Sequence, residues 1–155
     1  MTKQPKYGPQ AAAALFASGT SAQAPPEGTV AQDTQSLAQA SSIPPPVTLA
    51  LVERGHERHD IFCKPCHGAS GAGDGTIVAR GFPPPPPYWD ARVAAATPAH
   101  LFDVITHGYG VMYPYAERIP PADRWAIVAY VRALEVAHAQ GAPDVQPPAG
   151  SHGGR

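Results

Sequence analysis

The sequence predicts an all-α fold built around one short cysteine–histidine segment. Stretches at 49–62, 98–107 and 121–134 repeat apolar residues at helical spacing between start and stop signals. Both cysteines of the chain fall in Cys63-Lys64-Pro65-Cys66-His67, and no strand–helix alternation surrounds them. The 20 prolines and 15 glycines cluster before residue 48, just after the cysteine segment, and beyond residue 138. Such composition cannot supply a core. The expected organisation is therefore an extended arm over 1–47, a folded domain over 48–138 and a disordered tail over 139–155.

Cys-x-x-Cys-His is the attachment signature of c-type haem. Two thiols three positions apart on a helical turn can add across the two vinyl groups of one porphyrin. The histidine that follows then aims an imidazole nitrogen at the iron. This makes Cys63 and Cys66 the thioether cysteines and His67 an axial ligand of one covalent haem c. A structural zinc site needs a fourth ligand, usually from a second Cys/His knuckle, and the chain has no further cysteine. A thioredoxin-like dithiol belongs at the start of a βαβ helix, which the pattern does not provide.

The sixth ligand follows by elimination. A methionine thioether usually partners histidine in electron-transfer haems and raises the potential. The chain has two methionines, and Met1 is the terminus. That leaves Met112, in a Gly/Pro-rich loop, Gly108 to Tyr115, whose backbone can pass close over a ring. His100 and His107 are the rivals for this position.

Taken in order, residues 1–47 are rich in Ala, Ser, Gln, Pro and Gly and form no core. Tyr7, Leu15, Phe16 and Val30 are spaced along them like anchors. Thr48 caps a helix from Leu49 to Phe62, with Val52, Gly55, His59 and Phe62 on one face. Gly55 in the middle of that face is read as the place where another helix crosses, near Tyr130. After the haem motif come a glycine-rich loop, 68–75, and five consecutive prolines, 83–87. A proline carbonyl accepts hydrogen bonds, and an axial histidine needs its second nitrogen held. Pro85 or Pro86 is the candidate acceptor, and a rigid polyproline II spacer accounts for the other prolines of the run.

Thr97-Pro98 opens the next helix, which stops near Gly108. The last begins at Pro121 and carries Ile127, Tyr130, Val131 and Leu134 as an apolar stripe. Trp125 on it is either core or a donor to a haem propionate.

A formal net charge of −1 gives no electrostatic case for nucleic acid, and no run of about eighteen apolar residues marks a membrane span. Covalent haem implies maturation outside the bacterial cytoplasm. The segment Ala11 to Ala17 is short of the roughly 7–15 strongly apolar residues of a leader, so no signal peptide is read in it.

Helix, Cys-x-x-Cys-His, loop, helix, methionine loop and aromatic last helix resembles the order of class I cytochromes c over about residues 49–136. Gly28–Ala31, Glu53–Arg58, Arg80–Phe82, Phe102–Thr106 and Asp123–Leu134 are similar to the monohaem cytochrome c subunit of alternative complex III, a bacterial quinol-oxidising assembly. Met112-Tyr113-Pro114 departs from the usual Met-Pro order by Tyr113. The resemblance implies an electron-transfer subunit at the periplasmic face of the membrane, with the arm docked on neighbouring subunits. A multihaem cytochrome c subunit is one implied partner, and a cytochrome c or terminal oxidase the acceptor. Family members are often lipoproteins with an N-terminal cysteine, which this sequence lacks. The competing readings are a free-standing periplasmic carrier, a peroxidase-like haem catalyst using His100 or His107, and a zinc-stabilised binding module.

Overall fold

A computed structural model describes residues 6–8, 10–30 and 34–141, and the chain divides into two compact units, Met1–Gln35 and Ser36–Arg155. The first is not uniformly extended, as the sequence reading had it. Ala12 and Thr20 form one antiparallel bridge, closed by Ser21 N–H on the Ala11 carbonyl (2.9 Å) and Ala13 N–H on the Gly19 carbonyl (3.0 Å). Small side chains let the backbone pair with itself without an apolar core. Tyr7, Leu15 and Val30 are left exposed.

Helices α1 (Thr34–Ser42), α2 (Leu49–Phe62), α3 (Lys64–His67), α4 (Ala91–Ala94), α5 (Pro98–His107) and α6 (Pro121–Ala139) follow, with a 3-10 turn at Val78–Arg80. Among the described residues no strand forms, which agrees with the all-α expectation. Helix α1 lies inside the stretch read as extended. Its sequence has almost no apolar face, so no periodicity announced it. Side-chain caps start three of the others: Thr48 accepts from Leu51 N–H, Thr97 from His100 N–H, and Asp90 from Arg92 N–H. Helix α6 runs past the expected end at Leu134, to Ala139. Of the tail, 142–155 lies outside the described residues.

The core is the buried side of α6, from Trp125 through Val131, packed on Phe102 and Ile105 of α5 and on Ile119. Phe102 and Trp125 stack at 4.3 Å. Helix α2 crosses α6 at Gly55, where an added Cβ would lie 2.0 Å from the Ala126 carbonyl oxygen and 2.8 Å from Tyr130 Cβ. That is the crossing the glycine predicted. Arg54 grips Asp123 through two bonds, of 2.8 and 3.0 Å, and Arg58 Nε reaches the same carboxylate at 3.1 Å. The clamp ties the middle of α2 to the first turn of α6. No helix among the described residues is long and apolar enough to cross a membrane.

Candidate haem-binding site

The thiols and the imidazole are set by one turn of chain. Cys63 N–H closes α2 on the His59 carbonyl (2.8 Å), and His67 N–H then bonds the Cys63 carbonyl (2.9 Å). Cys63, Cys66 and His67 therefore share a single rigid turn, and both thiols are free. The following loop folds back over this turn, with Gly75 N–H on the Cys66 carbonyl and Ile77 N–H on that of Pro65.

Facing the turn is a cavity of about 370 Å³, within the range of cofactor sites. Cys63 and His67 line it, as do Leu101, Val104 and Ile105 of α5 and Val128 and Val131 of α6. Met112 reaches it from a tight turn in which Tyr109 and Met112 exchange backbone hydrogen bonds of 3.2 and 2.9 Å around Gly110. The sequence thus located two groups, 45 positions apart in the chain by their numbers (67 and 112), that the fold brings to one cavity.

The remaining predicted residues divide. Pro85 and Pro86 line the cavity, but Nδ1 of His67 is buried with no protein hydrogen-bond partner, so neither carbonyl accepts from it here. The Pro85 carbonyl instead approaches Gly73. Trp125 does not line the cavity. Its indole N–H donates to the Ala40 carbonyl at 3.0 Å, so it fastens α1 instead of reaching toward a propionate. His107 is also elsewhere, its Nδ1 2.8 Å from Asp103 Oδ1 on the surface. His100 does line the cavity.

Burial governs the chemistry of these groups. It pushes the Cys63 thiol up to about 12, with the nearby Cys66 adding to the effect, and lowers His67 to about 4. A neutral, buried thiol is a poor redox or zinc thiolate, and a neutral imidazole is the form that binds a metal. Among the described residues no group of three or more His, Cys, Asp and Glu side chains converges as a metal set.

Three participants escaped the sequence reading. Arg92 is the permanent cation among the cavity-lining residues, and nothing in its surroundings in the chain singled it out. Tyr88, hidden behind the proline run, is buried and stacks on His67. His59, read only as part of a helix face, is fully buried with Nε2 3.0 Å from the Tyr88 hydroxyl.

His59 makes stability depend on pH. Desolvation, helped by His67, His56 and Lys64 and opposed by Asp60, lowers it to about 4; the Tyr88 and Tyr130 rings also face it. The unfolded chain therefore binds a proton that the folded one refuses between pH 6.5 and 4. Stability is expected to be level above that window and to fall by up to about 3 kcal/mol as pH drops through it. Denaturant melts of the parent and of His59→Phe at pH 7 and pH 4.5 test this. The variant loses less stability on acidification, and equal losses refute the assignment.

A helical domain that holds Cys-x-x-Cys-His on one turn against an apolar cavity has the make-up of a c-type cytochrome. Residues 50–131 match the family described as cytochrome C oxidase, cbb3-type, subunit III. The match spans more than half of the chain, and the chain belongs to that family of cytochrome c domains. Among solved structures it is similar to a chain of the Kuenenia stuttgartiensis reducing HAO-like protein complex, with a TM-score of 0.54 and 24% identity over 61% of this chain and 48% of that one. The chain thus spans about half the length of that neighbour, and the likeness is one of fold. No curated protein matches it. The class I cytochrome c fold, a covalently bound c-type haem and haem-mediated electron transfer, as opposed to bond-making catalysis, follow from the family.

Proposed function

We propose that this chain is the monohaem electron-transfer subunit of a membrane quinol-oxidising assembly of the alternative complex III type, held at the periplasmic face. The observation that carries the electron-transfer role is that His67 and Met112 line the same apolar cavity from separate elements. Cys63 and Cys66 would hold one haem through thioether bonds, and His67 and Met112 would supply the ligands to its iron. A closed His/Met pair leaves no position for a peroxide or other substrate.

When bound, the haem iron gains and loses one electron at a time. The protein's part is to hold the ring and set its surroundings. The apolar walls from α5 and α6 exclude water and disfavour the extra charge of the ferric state. Arg92 offers a cation to the acidic substituents of the porphyrin. Quinol oxidation belongs to the assembly, which passes electrons through a multihaem subunit to this one and on to a cytochrome c or oxidase. The exposed Tyr7, Leu15 and Val30 are the contacts through which the arm docks on neighbouring subunits.

An optical spectrum of the exported protein tests the haem reading: a low-spin c-type spectrum with a weak red-edge Fe–S(Met) band is expected. A high-spin spectrum favours a catalyst, and the absence of haem bands a zinc module. Deletion of residues 1–30 tests the docking reading. The cut spares α1 and the Ala40–Trp125 bond, so the haem spectrum is expected to persist while co-purification with the membrane complex is lost. A truncated protein that still co-purifies defeats the docking role of the arm and moves it to a different surface, whereas a full-length protein that does not co-purify favours a free-standing carrier.

A further inference from the structure

We propose that Tyr88 is the positioning residue for His67: its ring, fixed through its hydroxyl by His59, sets the plane in which the axial imidazole stands. The inference deepens the reading of His67 as an iron ligand and rests on it. A metal-bound histidine ordinarily has its second nitrogen tethered, and that tether fixes the ring's rotation. Here Nδ1 is buried without a protein partner, so rotation about the Cβ–Cγ bond has to be restrained by packing. The Tyr88 ring lies on the imidazole at 5.0 Å between centroids and 27° between planes, an offset-stacked arrangement.

Tyr88 is itself held from three directions. Its hydroxyl meets His59 Nε2 at 3.0 Å, and His59 is fully buried on α2, one turn before Cys63. Its backbone N–H donates to the Gly71 carbonyl at 2.9 Å. Gly71 has a φ of +84°, and a Cβ there would lie 2.1 Å from the Tyr88 ring, so only glycine admits the ring in this place. The next residue, Trp89, stacks flat on His138 of α6 at 3.8 Å and 9°. Two conspicuous sequence features, the glycine loop and the residues ending the proline run, thereby converge on one task. They seat an aromatic ring against the histidine.

The stack predicts a difference between ring loss and hydroxyl loss. In a His/Met haem the imidazole plane governs the spread of the paramagnetically shifted haem methyl resonances of the oxidised protein, a readout that simple loss of stability does not reproduce. Tyr88→Leu keeps an apolar side chain but removes the ring. Its methyl pattern is expected to change and its reduction potential to fall as water reaches the imidazole. Tyr88→Phe keeps the ring but loses the bond to His59, and His59→Phe loses the same bond at similar volume. Both are expected to keep the parent shift range and to broaden its pattern or split it into two sets.

A parent protein without a histidine-ligated low-spin spectrum overturns the ligation reading and this inference with it. A normal parent spectrum whose methyl pattern is unchanged in Tyr88→Leu overturns the positioning role alone. Should Tyr88→Leu fail to accumulate as a haem protein, the other two variants decide. A broadened or split pattern in either supports the role, and parent-like patterns in both Tyr88→Phe and His59→Phe overturn it.

Discussion

Gly55→Ala is expected to destabilise the protein by about 3 kcal/mol or more, at the upper end of overpacking effects. The sign is informative. Alanine is the better helix former by about 1 kcal/mol, so on a helix with open space at that position the change would stabilise. Here the new Cβ would sit 2.0 Å from the carbonyl oxygen and 2.6 Å from the carbonyl carbon of Ala126. Both belong to backbone, which cannot swing aside like a flexible side chain. Helices α2 and α6 must separate, and the Arg54–Asp123 and Arg58–Asp123 contacts separate with them. Denaturant melts of the haem protein measure the effect; unchanged or raised stability would show that the helices do not meet at Gly55.

Met112→Ala is expected to abolish the Fe–S band and lower the reduction potential, because the thioether is the ligand that favours the ferrous state. Of the two rival histidines, one is placed to succeed it. His100 lines the same cavity, while His107 is paired with Asp103 on the surface. A Met112→Ala protein that stays low-spin at a depressed potential therefore points to His100, and adding His100→Ala is expected to turn it high-spin. An Fe–S band that survives the single substitution removes Met112 from the iron.

Much of the domain was legible because it follows from local rules. Thr48 and Thr97 signalled helix starts through capping chemistry, and Gly55 signalled a crossing because a glycine on an apolar face has few other uses. Met112 was reached by counting. What the sequence hid depends on partners distant in the chain. Helix α1 has no stripe of its own and is recognised by a carbonyl that accepts from Trp125, a bond that also takes the indole away from the cavity. Tyr88 and His59 acquire meaning only when two loops and a helix are superposed in space. The Pro85 or Pro86 acceptor was chosen on chemistry alone, and the Pro85 carbonyl is turned toward Gly73 instead.

The arginine clamp also has a consequence for how the chain reaches its fold. Arg54 and Asp123 are 69 residues apart, and every group assigned to the iron or its thioethers lies between them. Closing a loop of that length carries an entropy cost that grows only as the logarithm of its size, yet such distant contacts are the slow ones to form. The backbone bonds of the attachment turn all lie within residues 59–77, so they do not require the clamp, and before the two outer helices meet the cavity is open to a bulky planar guest.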